Sequence, residues 1–139
     1  MIKLCINLVF LFFIFINLHA DQANKEDFDI TKKIISQQLE AFKVNDASKA
    51  YSFAAPFIKM RFEDPESFMS MVKDNYEPIS NAKDFYFLKF KINNGNIYHQ
   101  LQVISKSNQS YMATYSLIFI EDEWKISGCA LSLMTQQSI

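Results

Sequence analysis

One histidine within an apolar run is the side chain best suited to acid–base chemistry in this 139-residue sequence. In the segment IYHQLQV, His99 alternates with Ile97, Leu101 and Val103. Alternate residues of a β-strand share one face, so the pattern places His99 on an apolar face. Two roles stay open: a general acid, base or ligand contact in a cavity, or a buried side chain hydrogen-bonded to a backbone carbonyl or a tyrosine. We favour the buried structural role.

Aromatic side chains are frequent in the predicted strands of the second half of the sequence. Tyr86, Tyr115 and Trp124 join His99 as the candidate ligand-binding residues. An aromatic wall with few hydroxyl groups suits a small apolar ligand. The alternative, which we favour, is that these rings fill the core of a small domain. We assign no catalytic residue and no metal ligand, and we predict no cofactor.

The single cysteine of the C-terminal segment EDEWKISGCAL raises a question of register. Regular alternation places Cys129 on the face opposite Trp124 and Ile126, whereas a bulge at Gly128 would reverse this arrangement. A nucleophilic thiol needs a nearby cation or histidine to lower its pKa. Only His99 could be brought close by folding, so we predict a packed thiol.

The N-terminal residues 1–20 have the pattern of a secretory signal peptide. A run of apolar residues ends at Leu18 and Ala20, which occupy the −3 and −1 positions of a cleavage site. The run is shorter than the roughly 20 residues that span a bilayer, although a retained membrane anchor is the alternative. We therefore predict a periplasmic or secreted protein without a stable membrane anchor, with one domain at 21–133 and a tail at 134–139.

Several functional classes are excluded by simple counts. Cleavage would remove Cys5 and His19, which leaves one cysteine and one histidine, too few for a disulfide or a closed zinc site. The formal net charge is −1 and Arg61 is the only arginine, so we expect no nucleic-acid binding. The sequence from Phe85 to Ile120 contains no Asp or Glu. The sheet therefore offers no carboxylate as a general base.

Helical periodicity dominates the first half of the sequence. Ile35, Leu39 and Phe42 recur at i, i+4 and i+7, which predicts an amphipathic helix with Asp29 as its N-cap. Asp46 can cap a second, short helix. The segment FIKMRF that follows fits both the helical and the strand period, and its conformation stays open.

The clearest helix start in the sequence is Asp64-Pro65, with an N-cap aspartate and proline at the first helical position. Beyond Asn81 the period changes to two, in four runs of aromatic and β-branched residues separated by short loops. Asn94-Gly95 is a strong signal for a type I′ hairpin. The order predicts an α+β fold, with N-terminal helices packed on one face of a four-stranded antiparallel meander.

The order of these elements, ending in a strand with the sequence WKISG, resembles the nuclear transport factor 2-like superfamily. The segments QQLEAFKVNDASKAYSFAAPFIKMRFEDPESFMSMVKDNYEPI and WKISGCAL are similar to a family of small secreted bacterial proteins known only as a domain of unknown function. The resemblance implies a curved sheet wrapped over the helices, often leaving a pocket. It also implies relatives that include isomerases and dehydratases with Asp, Tyr or His in the pocket, where only His99 and the strand tyrosines could correspond.

These observations favour a non-enzymatic binding module with a small apolar ligand or a protein partner in a concave aromatic pocket. A structural protein that forms homodimers is the first alternative, since members of the superfamily often pair through the sheet. An acid–base enzyme that uses His99 with a tyrosine is the less favoured alternative. That enzyme would need a ring nitrogen of His99 facing the pocket.

Overall fold

The computed structural model describes the backbone of residues 12–135 and the side chains of residues 24–135. The chain divides into two compact units, Met1–Ile30 and Thr31–Ile139. Helices come first and strands follow: α1 Phe12–Lys43, α2 Ala47–Ser52, α3 Pro56–Arg61, α4 Pro65–Asn75, α5 Glu77–Ser80, β1 Ala82–Asn93, β2 Asn96–Ser105, β3 Ser110–Ile120 and β4 Glu123–Leu133. The predicted α+β order is confirmed.

The predicted signal peptide lies partly outside the described residues, which begin at Phe12. Its cleavage, and the periplasmic or secreted localisation that depends on it, stay predictions. Within the described part of the chain, no helix is both long enough and apolar enough to cross a membrane.

Helix α1 differs from its predicted start. Asp29 was expected as the N-cap, but α1 begins at Phe12 and runs through Asp29, so that prediction is wrong. The preceding residues ADQANKED contain no proline or glycine, and most of them tolerate a helix well, so nothing local ends it there. The apolar stripe is confirmed, since Ile35, Leu39 and Phe42 are all buried.

The next helices follow their local signals. The Asp46 carboxylate accepts a hydrogen bond from the Lys49 amide at 3.0 Å and caps α2. The Asp64 carboxylate accepts one from the Ser67 amide at 2.7 Å and caps α4, as predicted. The ambiguous segment FIKMRF belongs to the short helix α3, which begins at Pro56.

The four strands form one antiparallel sheet in the order β1-β2-β3-β4. The predicted Asn94-Gly95 hairpin joins β1 to β2, with φ of 50° at Asn94 and 77° at Gly95. Both positive values match the type I′ turn that fits the twist of two strands. The meander topology is therefore set by local turns.

A bulge in β4 decides which face Cys129 lies on. Ser116 pairs with Gly128 while Leu117 pairs with Ile126, so Ser127 is the extra residue. Regular alternation would separate Ile126 from Cys129, and that reading is wrong. The alternative, a bulge at Gly128 that reverses the register, is correct in its effect, although the extra residue lies one position earlier. Ile126 and Cys129 both pack with the core.

The core of the second unit lies between the helices and one face of the sheet. It combines α1, α2, α4 and α5 with the inner face of β2, β3 and β4. After β4, the Met134 amide still donates to the Ser110 carbonyl at 2.9 Å. Residues 136–139 of the predicted tail lie outside the described residues.

Candidate ligand-binding site

A row of four side chains crosses the inner face of the sheet. Phe90 pairs with His99, His99 with Tyr115, and Tyr115 with Cys129, one residue from each strand. Directly opposed residues of neighbouring strands have Cβ atoms about 5 Å apart. Three of these four side chains are polar, so the sheet places a line of polar groups beneath the helices.

The imidazole of His99 is enclosed, with 0% of its surface exposed. Its Nε2 lies 2.8 Å from the Thr31 hydroxyl of α1, and Phe87 and Phe90 pack against the ring with centroid distances of 5.4 and 5.1 Å. Burial, and secondarily the positive charge of Lys32, lower the pKa of His99 to about 4. The ring is therefore neutral near pH 7, and Thr31 fixes it in place.

Tyr115 is as deeply buried as His99 but is bonded differently. Only 1% of its surface is exposed, and no hydrogen bond satisfies its hydroxyl among the described residues. The Cys129 thiol interacts with this hydroxyl from the paired position on β4, but sulfur is a weak hydrogen-bond partner. Burial first, and Cys129 second, raise the pKa of Tyr115 well above its usual value.

The Cys129 thiol shows no sign of nucleophilic activation. Burial raises its pKa to about 12, and the interaction with Tyr115 lowers it by less. The thiolate is the reactive form of cysteine, so a protonated thiol at neutral pH is a poor nucleophile. This supports the predicted packing role.

A cavity of about 470 Å³ opens between the helices and strands β3 and β4. This volume is in the range of small-molecule sites. Its wall is mainly apolar and is formed by Gln38, Phe42, Ala54, Phe57, Ile58, Arg61, Phe62, Phe68, Met71, Val72, Asn75, Tyr76, Ile79, Tyr115, Ile126, Ser127, Gly128 and Cys129.

Burial separates the floor of this cavity from its mouth. Tyr115, Ile126 and Gln38 are buried and form the floor, whereas Arg61 and Asn75 are exposed and belong to the mouth. Gln38 donates from Nε2 to the Ala50 carbonyl at 3.1 Å. The cavity thus has an apolar body, two buried polar side chains at the floor, and one charge at the mouth.

Of the four candidate residues, only Tyr115 lines the cavity. His99 is its neighbour on the sheet but lies within the core. Tyr86 is 53% exposed and belongs to the outer face of β1, and Trp124 packs on Phe119 with ring centroids 5.4 Å apart. The predicted ligand contacts of His99, Tyr86 and Trp124 find no support in this cavity.

The sequence reasoning missed Gln38 and Arg61. Gln38 lies three residues after Ile35 and four before Phe42, so the same helical period that predicts the core stripe also places this amide on the buried face. Arg61 is the only arginine of the chain, yet it ends a segment whose conformation the sequence left open. Within the described residues, no three His, Cys, Asp or Glu side chains come together as metal ligands would.

The fold defines the class of protein as an α+β domain of the nuclear transport factor 2-like kind. An NTF-2 like protein of unknown function from Silicibacter pomeroyi DSS-3 has a similar structure, with a TM-score of 0.56 and 9% sequence identity over 80% of this chain and 98% of that chain. An NTF2-like protein of unknown function from Shewanella baltica OS155 gives a TM-score of 0.54 and 9% identity over 80% and 96% of the two chains.

The sequence itself identifies the family. The model of DUF4864, a domain of unknown function, matches residues 23–139, and the chain belongs to this family. No curated protein matches the chain. The predicted resemblance is therefore confirmed for the fold and for a family of unknown function.

Proposed function

We propose that this domain binds a small, predominantly apolar ligand in the cavity between its helices and β3–β4. The observation that carries the proposal is the cavity itself, which has a volume of about 470 Å³ and a mainly apolar wall among the described residues. Pockets of this size with a few polar groups in an apolar wall are typical of small-molecule sites.

The cavity supports binding without chemistry. Among the side chains that the structure describes, no carboxylate lines it, and His99, the one imidazole among them, is not part of its wall. Tyr115 and Cys129 have raised pKa values and stay protonated near pH 7. Protonated hydroxyl and thiol groups can donate hydrogen bonds, but they are weak general bases and nucleophiles.

A neutral fluorescent probe, N-phenyl-1-naphthylamine, tests this proposal. We expect saturable binding with one site per chain and an increase in fluorescence as the probe enters an apolar space. Ile58→Trp enlarges a side chain of the cavity wall and should weaken binding at least about tenfold, since overfilling a packed space is costly.

The matched control is Ile92→Trp, which makes the same change at an exposed position of β1 outside the cavity. It should bind the probe as the unchanged protein does. Absence of saturable binding, or an equal loss in both variants, would remove the proposal.

A second candidate function is self-association through β1. This edge strand exposes the apolar side chains of Tyr86 and Leu88, which a second copy of the chain could cover. Leu88 on β1 is 48% exposed and Leu133 on β4 is 52% exposed, so they form a matched pair. Light scattering should show a dimer that Leu88→Lys dissociates and Leu133→Lys leaves intact; a monomer at high concentration would reject it.

A further inference from the structure

We propose that the ligand of this cavity is an amphipathic monoanion whose charged group is held by Arg61 at the mouth while its apolar part lies inside. The inference rests on the proposed binding function and adds the chemical class and the orientation of the ligand. It follows from the charge of the cavity wall, from the bonding of Arg61 and from the geometry of α3.

The charge of the cavity wall has one sign. Among the described residues that form it, Arg61 is the only charged side chain, and no Asp or Glu accompanies it. In the described part of the chain, the ion pairs join other residues, and none involves the Arg61 guanidinium. Arg61 therefore presents its five N–H donors to whatever occupies the mouth.

Helix α3 combines that charge with apolar contacts on one side. Phe57 and Arg61 are four residues apart, so they lie on the same helical face, about 5–6 Å apart at their Cβ atoms. Both line the cavity, together with Ile58 between them. This face matches a molecule in which an anionic group is attached directly to an apolar body.

The packing of α3 suits a wall that meets a ligand. No residue of this helix is buried, and Phe57 is 47% exposed although it lines the cavity. An occupant would cover the aromatic ring and the stem of Arg61 while leaving the guanidinium partly in water. Desolvation of the charge is then small, which favours a net gain from the ion pair.

A single guanidinium fits a carboxylate best. Its planar fork binds a carboxylate with two parallel hydrogen bonds. One positive charge balances a carboxylate monoanion, whereas a phosphate monoester carries up to two negative charges near neutral pH. The ligand class is thus an apolar carboxylate, with its carboxylate at Arg61 and its apolar chain inside the cavity.

Three probes of equal chain length separate charge from apolarity: decanoate, decanol and decyltrimethylammonium. Each is titrated against the full-length protein with bound N-phenyl-1-naphthylamine, and the displacement gives its dissociation constant. We expect decanoate to bind about tenfold more tightly than decanol, because of one charge-assisted contact, and decyltrimethylammonium to bind most weakly.

Two variants of Arg61 locate the effect. Arg61→Gln should reduce the preference for decanoate over decanol to about twofold without changing decanol, and Arg61→Glu should favour decyltrimethylammonium over decanoate. Lys59→Gln is the matched control, because Lys59 belongs to the same helix but does not line the cavity. It should keep the full preference. Circular dichroism checks that the variants fold.

The outcomes distinguish the two proposals. If the fluorescent probe does not bind, the binding function itself fails, and the inference fails with it. If the probe binds but decanol equals decanoate, or if the preference survives in Arg61→Gln, the cavity binds apolar molecules and the anion inference is overturned. A loss of preference in Lys59→Gln as large as in Arg61→Gln overturns it as well, because the effect would then come from general surface charge.

Discussion

His99 and Tyr115 are direct neighbours across β2 and β3, and both are almost completely buried. They differ in what the helices bring to them. Thr31 of α1 meets the imidazole, whereas the side of Tyr115 faces a cavity and its hydroxyl has no hydrogen bond among the described residues. The same strand geometry thus gives one polar side chain that is hydrogen-bonded to a helix through Nε2, and one whose hydroxyl has no hydrogen bond among the described residues.

The difference shows that burial of a polar side chain is not evidence for its role. A buried polar group with a hydrogen-bond partner contributes to stability, but one without a partner reduces it. What lies opposite each side chain decides whether it has a hydrogen-bond partner: α1 lies opposite His99, and the cavity lies beside Tyr115. Removing the polar group should therefore lower the free energy of unfolding at His99 but leave it nearly unchanged at Tyr115.

The largest expected effect concerns the thiol next to Tyr115. Burial raises the pKa of Cys129 to about 12, so very little of the thiol is ionised at pH 8. Alkylation of Cys129 should therefore be about a thousandfold slower in the folded protein than in urea. The rate is measured with iodoacetamide in a Cys5→Ser background, which leaves one cysteine. Rates within about tenfold of each other would contradict the burial of this thiol.

The second effect is the loss of the enclosed imidazole. His99→Ala should lower the free energy of unfolding by about 3 kcal/mol, because it leaves a space between two phenylalanine rings and removes the partner of Thr31. Urea denaturation measures this loss. Gln100→Ala, at the next and only half-buried position, serves as the control, and equal losses in both variants would refute the structural role of His99.

The third effect is the pH dependence that His99 imposes. Its pKa is about 4 in the folded protein and near 6.5 when unfolded, so between these values the unfolded chain binds more protons. Stability should therefore fall as the pH decreases, by about 2 kcal/mol between pH 8 and pH 5 from this group alone. His99→Phe should flatten this part of the pH profile. An unchanged slope would show that other groups produce it.

The smallest expected effect, that of removing the Tyr115 hydroxyl, tests the comparison with His99 most directly. Tyr115→Phe removes a hydroxyl without a hydrogen bond, so the free energy of unfolding should change by less than about 0.5 kcal/mol or rise. Tyr51→Phe is the matched control, since the Tyr51 hydroxyl donates to the Phe62 carbonyl at 2.6 Å and should cost about 1 kcal/mol. Equal losses would mean that the Tyr115 hydroxyl is satisfied.

Much of the fold could be predicted from the sequence because its signals are local. Asp64 with Pro65, and Asn94 with Gly95, each specify a helix start or a turn within a few residues. The burial of His99 followed from alternation over a single strand. Asp29 failed as a cap because a favourable capping residue does not end a helix that the preceding residues can continue.

The site was less predictable, for two physical reasons. Its wall comes from α1, α3, α4, α5, β3 and β4, and their proximity depends on packing between distant segments. Tyr115 and His99 also have the same sequence signal, a polar aromatic residue in an apolar strand, and only the opposing layer distinguishes them. Arg61 lies in a segment where the helical and strand periods compete, so its position could not be derived.

The extra residue Ser127 has a consequence for how such a cavity can evolve. Deleting it would restore strict alternation in β4 and turn Cys129 and Leu131 away from the inner face, since a shift of one residue exchanges the two faces of a strand. One codon gained or lost would then exchange the inward and outward residues at the end of β4 together, including Cys129 of the cavity wall, and would leave the turns and helix caps untouched. Insertions or deletions in this strand therefore offer a route to a new cavity wall that stepwise substitution does not.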